Sequence, residues 1–239
     1  MKTTLTPPPN RITAALWLAT PVLTGACIMA LELVAFRLYA PYFGYSMYVW
    51  GSMISVMMAA LAVGYALGGW MADRSRTDQP LYGIILLSAA YQLVIIYTVH
   101  SFLPTLARSG DFTGVILATL IIFALPISAL ATVAPFVIRL LARVGSVGVT
   151  AGTIYALATV GSVAGVFATS FFLVPSFGTR VTLMTACAAT AMIGLAGLFA
   201  RRRETVFGLI VIAVSHSHLT GHGPKGRCGS ASRLTTLFV

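Results

Sequence analysis

Acidic side chains are nearly missing from this chain: its 239 residues hold five, Glu32, Asp73, Asp78, Asp111 and Glu204. Spread this widely, they cannot supply paired carboxylates for acid–base hydrolysis or the acid of a Ser-His-Asp set. No phosphate-cradling glycine loop is present either, so catalysis by this chain is not expected and no cofactor is implied. Charge of either sign is scarce. Charged residues make up 8 %, against roughly 25 % in soluble domains, too few to cover a water-exposed surface. Cysteine is equally sparse. Cys27 and Cys187 lie in apolar runs and Cys228 near the end, which is no disulfide framework; the first two read as small buried hydrophobes.

Apolar runs take the place of charge. Hydrophobic residues reach 58 % and the mean hydropathy is +0.93. The runs exceed ~18 residues, which predicts membrane-spanning helices rather than the ~10-residue alternating strands of a barrel. The formal net charge of +10 comes from basic residues set singly or in short clusters between these runs. That distribution carries orientation and argues against nucleic acid as a partner; the lipid bilayer is the expected one.

Taken in order, residues 1–11 form a polar arm, with Pro7 to Pro9 opposing helix formation. The apolar run after Arg11 is too long for a secretory signal, and predicts a retained first helix over 12–39, ending before Pro41. Further helices are expected over 47–71, 81–106, 112–142, 150–174 and 180–200. The fourth contains Pro126 and Pro135, tolerable where neighbours re-satisfy the freed carbonyls. The six make an all-α membrane domain over 12–204. Residues 205–214 are too short to span, reaching about half of a ~30 Å core, and read as an interfacial or truncated helix. From Ser215 the composition turns polar and Gly/Ser-rich. A disordered tail is expected, and the abrupt change also fits a shortened or frame-shifted end. His216, His218, His222 and Cys228 offer metal donors there, but a glycine-rich tail does not hold them in place, so no metal site is assigned.

Nine basic residues fall on the side of the first terminus and three, Arg37, Arg108 and Arg180, on the other. The positive-inside rule then puts both termini in the cytoplasm of a multi-pass protein of the cell's inner (plasma) membrane. A weak repeat accompanies this topology. Ala40-Pro41 and Ala134-Pro135 lie 94 positions apart, and Gly64-x-x-x-Gly68 and Gly161-x-x-x-Gly165 lie 97 apart. Three helices per unit would make the repeat inverted, 3+3, as in many transporters. Coincidence is the competing explanation, because Gly and Pro are common in membrane helices.

The stretch 32–76 is the most informative. Gly68-Gly-Trp-Met-Ala-Asp73-Arg74 resembles the loop signature of the major facilitator superfamily. Together with Glu32-Leu-Val-Ala-Phe-Arg37, Ala40-Pro-Tyr-Phe-Gly44, Trp50 and Gly64-Tyr65, it is similar to the membrane domain of fused facilitator/spermidine-synthase-like proteins. Later segments resemble that domain in order: Leu125-Pro126, Ala134-Pro135, Gly152-Thr-Ile-Tyr-Ala-Leu157, Gly161-Ser162 with Gly165, and Pro175-Ser-Phe-Gly-Thr-Arg180. The likeness covers about residues 14–200. Ala158 stands where the family usually has asparagine, and the family's soluble aminopropyltransferase-like domain is not within these residues. The resemblance therefore implies a facilitator-like half bundle without the enzymatic activity.

Glu32, Arg37, Tyr39, Tyr42, Trp50 and Arg180 are the candidate solute-binding residues. Glu32 reads either as an interfacial carboxylate paired with Arg37 or Arg180, or as a cation- or proton-carrying group. The aromatics form either an interfacial belt or a cage for an amine. Asp73 and Arg74 are expected to cap the second helix and to bridge the cytoplasmic mouth, as structure or as gate. Gly64, Gly68, Gly161 and Gly165 are expected to pack helices closely. The functional expectation is a domain that binds or transports a small, polyamine-like cationic solute. The alternatives are a scaffold for a separate synthase-like partner or larger complex, a homodimer that completes a pore, and a fragment with no independent function.

Overall fold

In lipid a long apolar run must satisfy its backbone N–H and C=O groups internally, and a helix does so within one segment. The computed structural model describes residues 11–75, 77–108, 110–142 and 146–220, and every element among them is helical. Helices α1 (Arg11–Phe43), α2 (Met47–Arg74) and α3 (Gln79–Ala107) come first. The fourth apolar run is subdivided into α4 (Asp111–Thr119), a π-helical turn Leu120–Ala124, α5 (Leu125–Ala131) and α6 (Val133–Leu141). Then come α7 (Val147–Phe167), a second π-helical turn Ala168–Leu173, and α8 (Val174–Thr220). Five stretches are long and apolar enough to cross a membrane: Thr13–Phe43, Met47–Arg74, Gln79–Ala107, Phe112–Leu141 and Val147–Ala200. The protein is thus an all-helical membrane bundle. Its chain divides into two units, Met1–Arg201 and Arg202–Val239. In the second, residues 202–220 are helical, and His222 and Cys228 lie outside the described residues.

The first helix outruns its expected end. Pro41 lies inside α1, where the lost N–H costs one bond in the final turn. What stops the helix is Gly44, whose φ of 74° only glycine adopts freely and whose N–H closes on Ala40 O at 3.1 Å. Ser46 then caps α2, its Oγ accepting from Val49 N at 3.3 Å. The π-helical turn in the fourth run sits immediately before Pro126. A proline has no N–H, so carbonyls four and five residues upstream lose their helical donor. Tyr91 of α3 fills one gap, its hydroxyl donating to Ile121 O, and Ser88 donates to Pro126 O at 3.2 Å.

Close approaches fix how the helices run. On α2, Gly64 lies against Ser128 and Ala131, and Gly68 against Thr132 and Pro135, so α2 and the fourth run are parallel. On α7, Gly161 lies against Val22 and Gly165 against Ala26, while Gly25 faces Ala158 and Ser162; α1 and α7 are parallel too. Beyond Gly178 the direction reverses. Gly197 meets Tyr82, Gly194 meets Leu86, and Cys187 Sγ lies 3.3 Å from Ala89 O, which makes this segment antiparallel to α3. Gly178, at φ 78° and ψ 174°, is where the helical run of α8 breaks. Helix α1 lies in the middle, with Leu31, Val34, Ala35 and Tyr39 buried against Phe123, Ile127, Phe136 and Ile154 from its neighbours.

Candidate functional site

One face of α1 carries Pro21, Thr24, Gly25, Ile28 and Met29, three to four residues apart, and lines a cavity of about 80 Å³. Leu61 and Tyr65 of α2, Leu130, Ala131 and Ala134 of the fourth run, and Ala158 and Ser162 of α7 complete its wall. Glu32 is the next residue along the α1 stripe, four beyond Ile28. It is half-buried, and its Oε1 is buried without a hydrogen-bond partner. The phenol of Tyr65 lies within electrostatic reach of Glu32, and Tyr155 lies in turn within reach of Tyr65. Both tyrosines are about half exposed, at 46 % and 55 %. Glycines 25, 161 and 165 make this geometry available. A Cβ on Gly25 would sit 2.5 Å from Ala158 O and 3.0 Å from Ser162 Oγ, so only glycine lets α1 and α7 meet beside the cavity.

The other candidate residues do not gather around Glu32. Tyr39 is fully buried, edge-on to Phe43 at 5.6 Å and Phe123 at 6.0 Å between ring centroids. Its hydroxyl lies towards Thr119 without a hydrogen bond of ordinary geometry. Tyr42 is half-buried against the core, and Arg37 is exposed. Trp50, 45 % exposed, packs edge-on to Phe36 at 4.7 Å, and Tyr45 packs on the same ring at 5.5 Å. Arg180 is exposed and lines a different cavity, between α1, α3 and the segment after Gly178. Among the described residues neither Glu32–Arg37 nor Glu32–Arg180 forms an ion pair, but another ion pair does form. It joins Asp73 Oδ1 to Arg139 Nε at 2.7 Å, tying α2 to α6. Arg74 instead lies over the Trp70 ring, 4.3 Å from its centroid. At the same end of the bundle Trp17 Nε1 donates to Asp78 Oδ2 at 3.3 Å, linking α1 to the start of α3.

No family model, curated protein or solved structure matches the chain. The function must therefore be argued from the site itself.

The sequence gives no sign that Tyr65 is a neighbour of Glu32. It stands in Gly64-Tyr65, a segment marked only by its resemblance. Alternation of apolar and small residues gives no indication that helices α1 and α2 place these two side chains near each other. Thr24 and Ser162 were missed for the same reason. Ala158, which stands where the resembled family usually has asparagine, lines the cavity.

Proposed function

We propose that this chain is a membrane module that binds, and carries across the bilayer, a small cationic group held at Glu32. The observation that carries the reading is the buried, unpartnered Oε1 of Glu32 on the stripe leading into the cavity. An ionised side chain within a span costs on the order of 2.5–3.5 kcal/mol on insertion scales, so a carboxylate there calls for a cation or a proton. The Tyr65 phenol near it can offer a ring face and a hydroxyl oxygen to an ammonium group. Size restricts the solute. A cavity of about 80 Å³ exceeds the ~10–15 Å³ that admits one water, and suits an ammonium head far better than an extended polyamine. A polyamine-like solute would insert one amine here and leave its chain outside.

The bundle we infer for this role has six spans. At ~1.5 Å per residue, the 54 residues of Val147–Ala200 measure about 80 Å, more than twice a ~30 Å core. The break at Gly178 and the antiparallel return along α3 support two crossings. A 3+3 inverted repeat is supported by the exchange of partners. The glycine seam of the second span packs on the fourth, and the seam of the fifth packs on the first, the pairing that an in-plane two-fold axis generates. The arginine distribution supports an inner-membrane protein with its first terminus in the cytoplasm. The kinship proposed is with the membrane domain of facilitator/spermidine-synthase-like proteins, on the motifs given above.

Uptake of labelled methylammonium and spermidine into proteoliposomes tests the function, with Glu32→Gln and Ala158→Leu beside the unchanged protein. Both variants are expected to lose uptake, the first by removing the charge and the second by filling the cavity. Uptake unaltered by Glu32→Gln removes Glu32 from the mechanism. A chain that moves neither amine and retains a soluble synthase-like protein in mild detergent is a scaffold instead.

A further inference from the structure

On the opposite flank of α1 a cavity of about 150 Å³ is walled by the buried side chains of Leu38, Ile96, Val99 and Leu183 and bordered by His100 and Arg180. No carboxylate lines it. We propose that it binds the headgroup phosphate of an anionic phospholipid, with Arg180 and His100 as its ligands and the acyl chains on the apolar surface outside. The inference is independent of the Glu32 reading and rests only on the chain being a membrane protein.

The chemistry follows from what surrounds the two basic groups. Among the described residues no hydrogen bond or ion pair engages Arg180, and Asp73 holds a different arginine, Arg139, so the Arg180 guanidinium keeps its donors for an outside acceptor. A guanidinium presents a planar fork that matches two phosphate oxygens, and a neutral imidazole still donates one N–H. Both side chains are exposed, at the mouth and not inside the wall. The cavity exceeds by about tenfold the volume that admits a single water, room for a phosphate group but not for a whole lipid.

Depth agrees with a headgroup. Helix α3 has 29 residues, about 44 Å at 1.5 Å per residue, so it overhangs a ~30 Å core by about 7 Å at each end. His100 stands seven residues before its last residue, about 10 Å in, close to the boundary where phosphates lie. Around the cavity Tyr97, Phe177, Val181 and Met184 are exposed, the first at 65 %. Such a surface favours acyl chains over water, which selects a lipid over a free phosphate. Gly178 sets the geometry. Its break lets Thr179 to Leu183 turn back along α1 and α3, and so brings Arg180 to His100 across 80 positions of sequence.

Lipid retention, read by native mass spectrometry of the full chain released from nanodiscs, tests this. Phosphatidylglycerol and phosphatidylcholine with the same acyl chains are compared, because choline carries its own cation towards the two basic groups. The unchanged protein is expected to retain phosphatidylglycerol about tenfold over phosphatidylcholine, the worth of one charge-assisted hydrogen bond. Arg180→Gln and His100→Gln should each reduce that preference, and Arg180→Lys should keep part of it. Equal retention of the two lipids, or a preference unchanged in both variants, overturns the proposal. So does inorganic phosphate that raises the melting temperature as much as phosphatidylglycerol does, since the ligand is then a soluble anion. If Arg180→Gln fails to fold, His100→Gln and Arg180→Lys decide the matter.

Discussion

Gly161 illustrates how little a single residue can change in this bundle. A Cβ built there collides with the carbonyl of Val22, and the atoms in the way are backbone, which cannot rotate aside. Gly161→Ala is therefore expected to lower stability by about 1–3 kcal/mol, the usual range for overpacking, read as a drop in melting temperature in detergent. Gly69 has open space around its missing Cβ, so Gly69→Ala should be neutral or slightly stabilising through its better helix propensity. Equal changes at the two positions would mean that the close approach at Gly161 does not govern its stability. The asymmetry cannot be read from the motif. Gly68 and Gly69 are adjacent in sequence, yet one faces Thr132 and Pro135 and its neighbour faces nothing, because successive helical residues point about 100° apart.

At the scale of an element, the fourth apolar run is the informative case. Pro126 removes a donor, the helix relaxes through a π-helical turn, and Tyr91 of another helix supplies a hydrogen bond to Ile121 O. Tyr91→Phe should cost about 0.5–1.5 kcal/mol. In a Pro126→Ala background the same change should cost less, because the alanine N–H can restore a helical bond. A double-mutant cycle on the melting free energies measures the coupling, and additive costs would show that Tyr91 does not compensate for the proline. Gly178 is a second such point. At φ 78° and ψ 174° the backbone occupies a region that is essentially glycine's alone, so Gly178→Ala should destabilise the bundle by about 1–3 kcal/mol. The sequence marked both elements with proline and glycine; it did not reveal that the fourth run bends through a π-helical turn braced by α3.

For the whole molecule, single-cysteine labelling from outside sealed vesicles discriminates six spans from five. With the native cysteines replaced by alanine, Tyr45→Cys and Phe177→Cys are expected to react from one side, and Ser75→Cys and Ser146→Cys from the other. Phe177 labelled together with Ser146 would sink the six-span arrangement. The exposed Asp73–Arg139 pair, with side chains 68 % and 50 % accessible, is screened by water and ions. Asp73→Asn should change stability by less than about 1 kcal/mol, with a smaller effect still at high salt. A gating role would appear as altered transport without altered melting.

Composition alone determined the class of this protein. So few charges and such long apolar runs admit a helical membrane bundle and little else, because lipid offers the backbone no hydrogen bonds and every span must satisfy its own. The glycines, prolines and Glu32 were conspicuous in the sequence for the same reason, each being costly in an ordinary apolar helix. Their partners were decided only by the tertiary structure. Glu32 lies near Tyr65 and pairs with neither Arg37 nor Arg180; Arg180 joins His100 at another cavity; Asp73 selects Arg139. Which helix faces which depends on backbone approaches at Gly25, Gly64 and Gly161, and nothing in a local pattern records the contour of a distant surface.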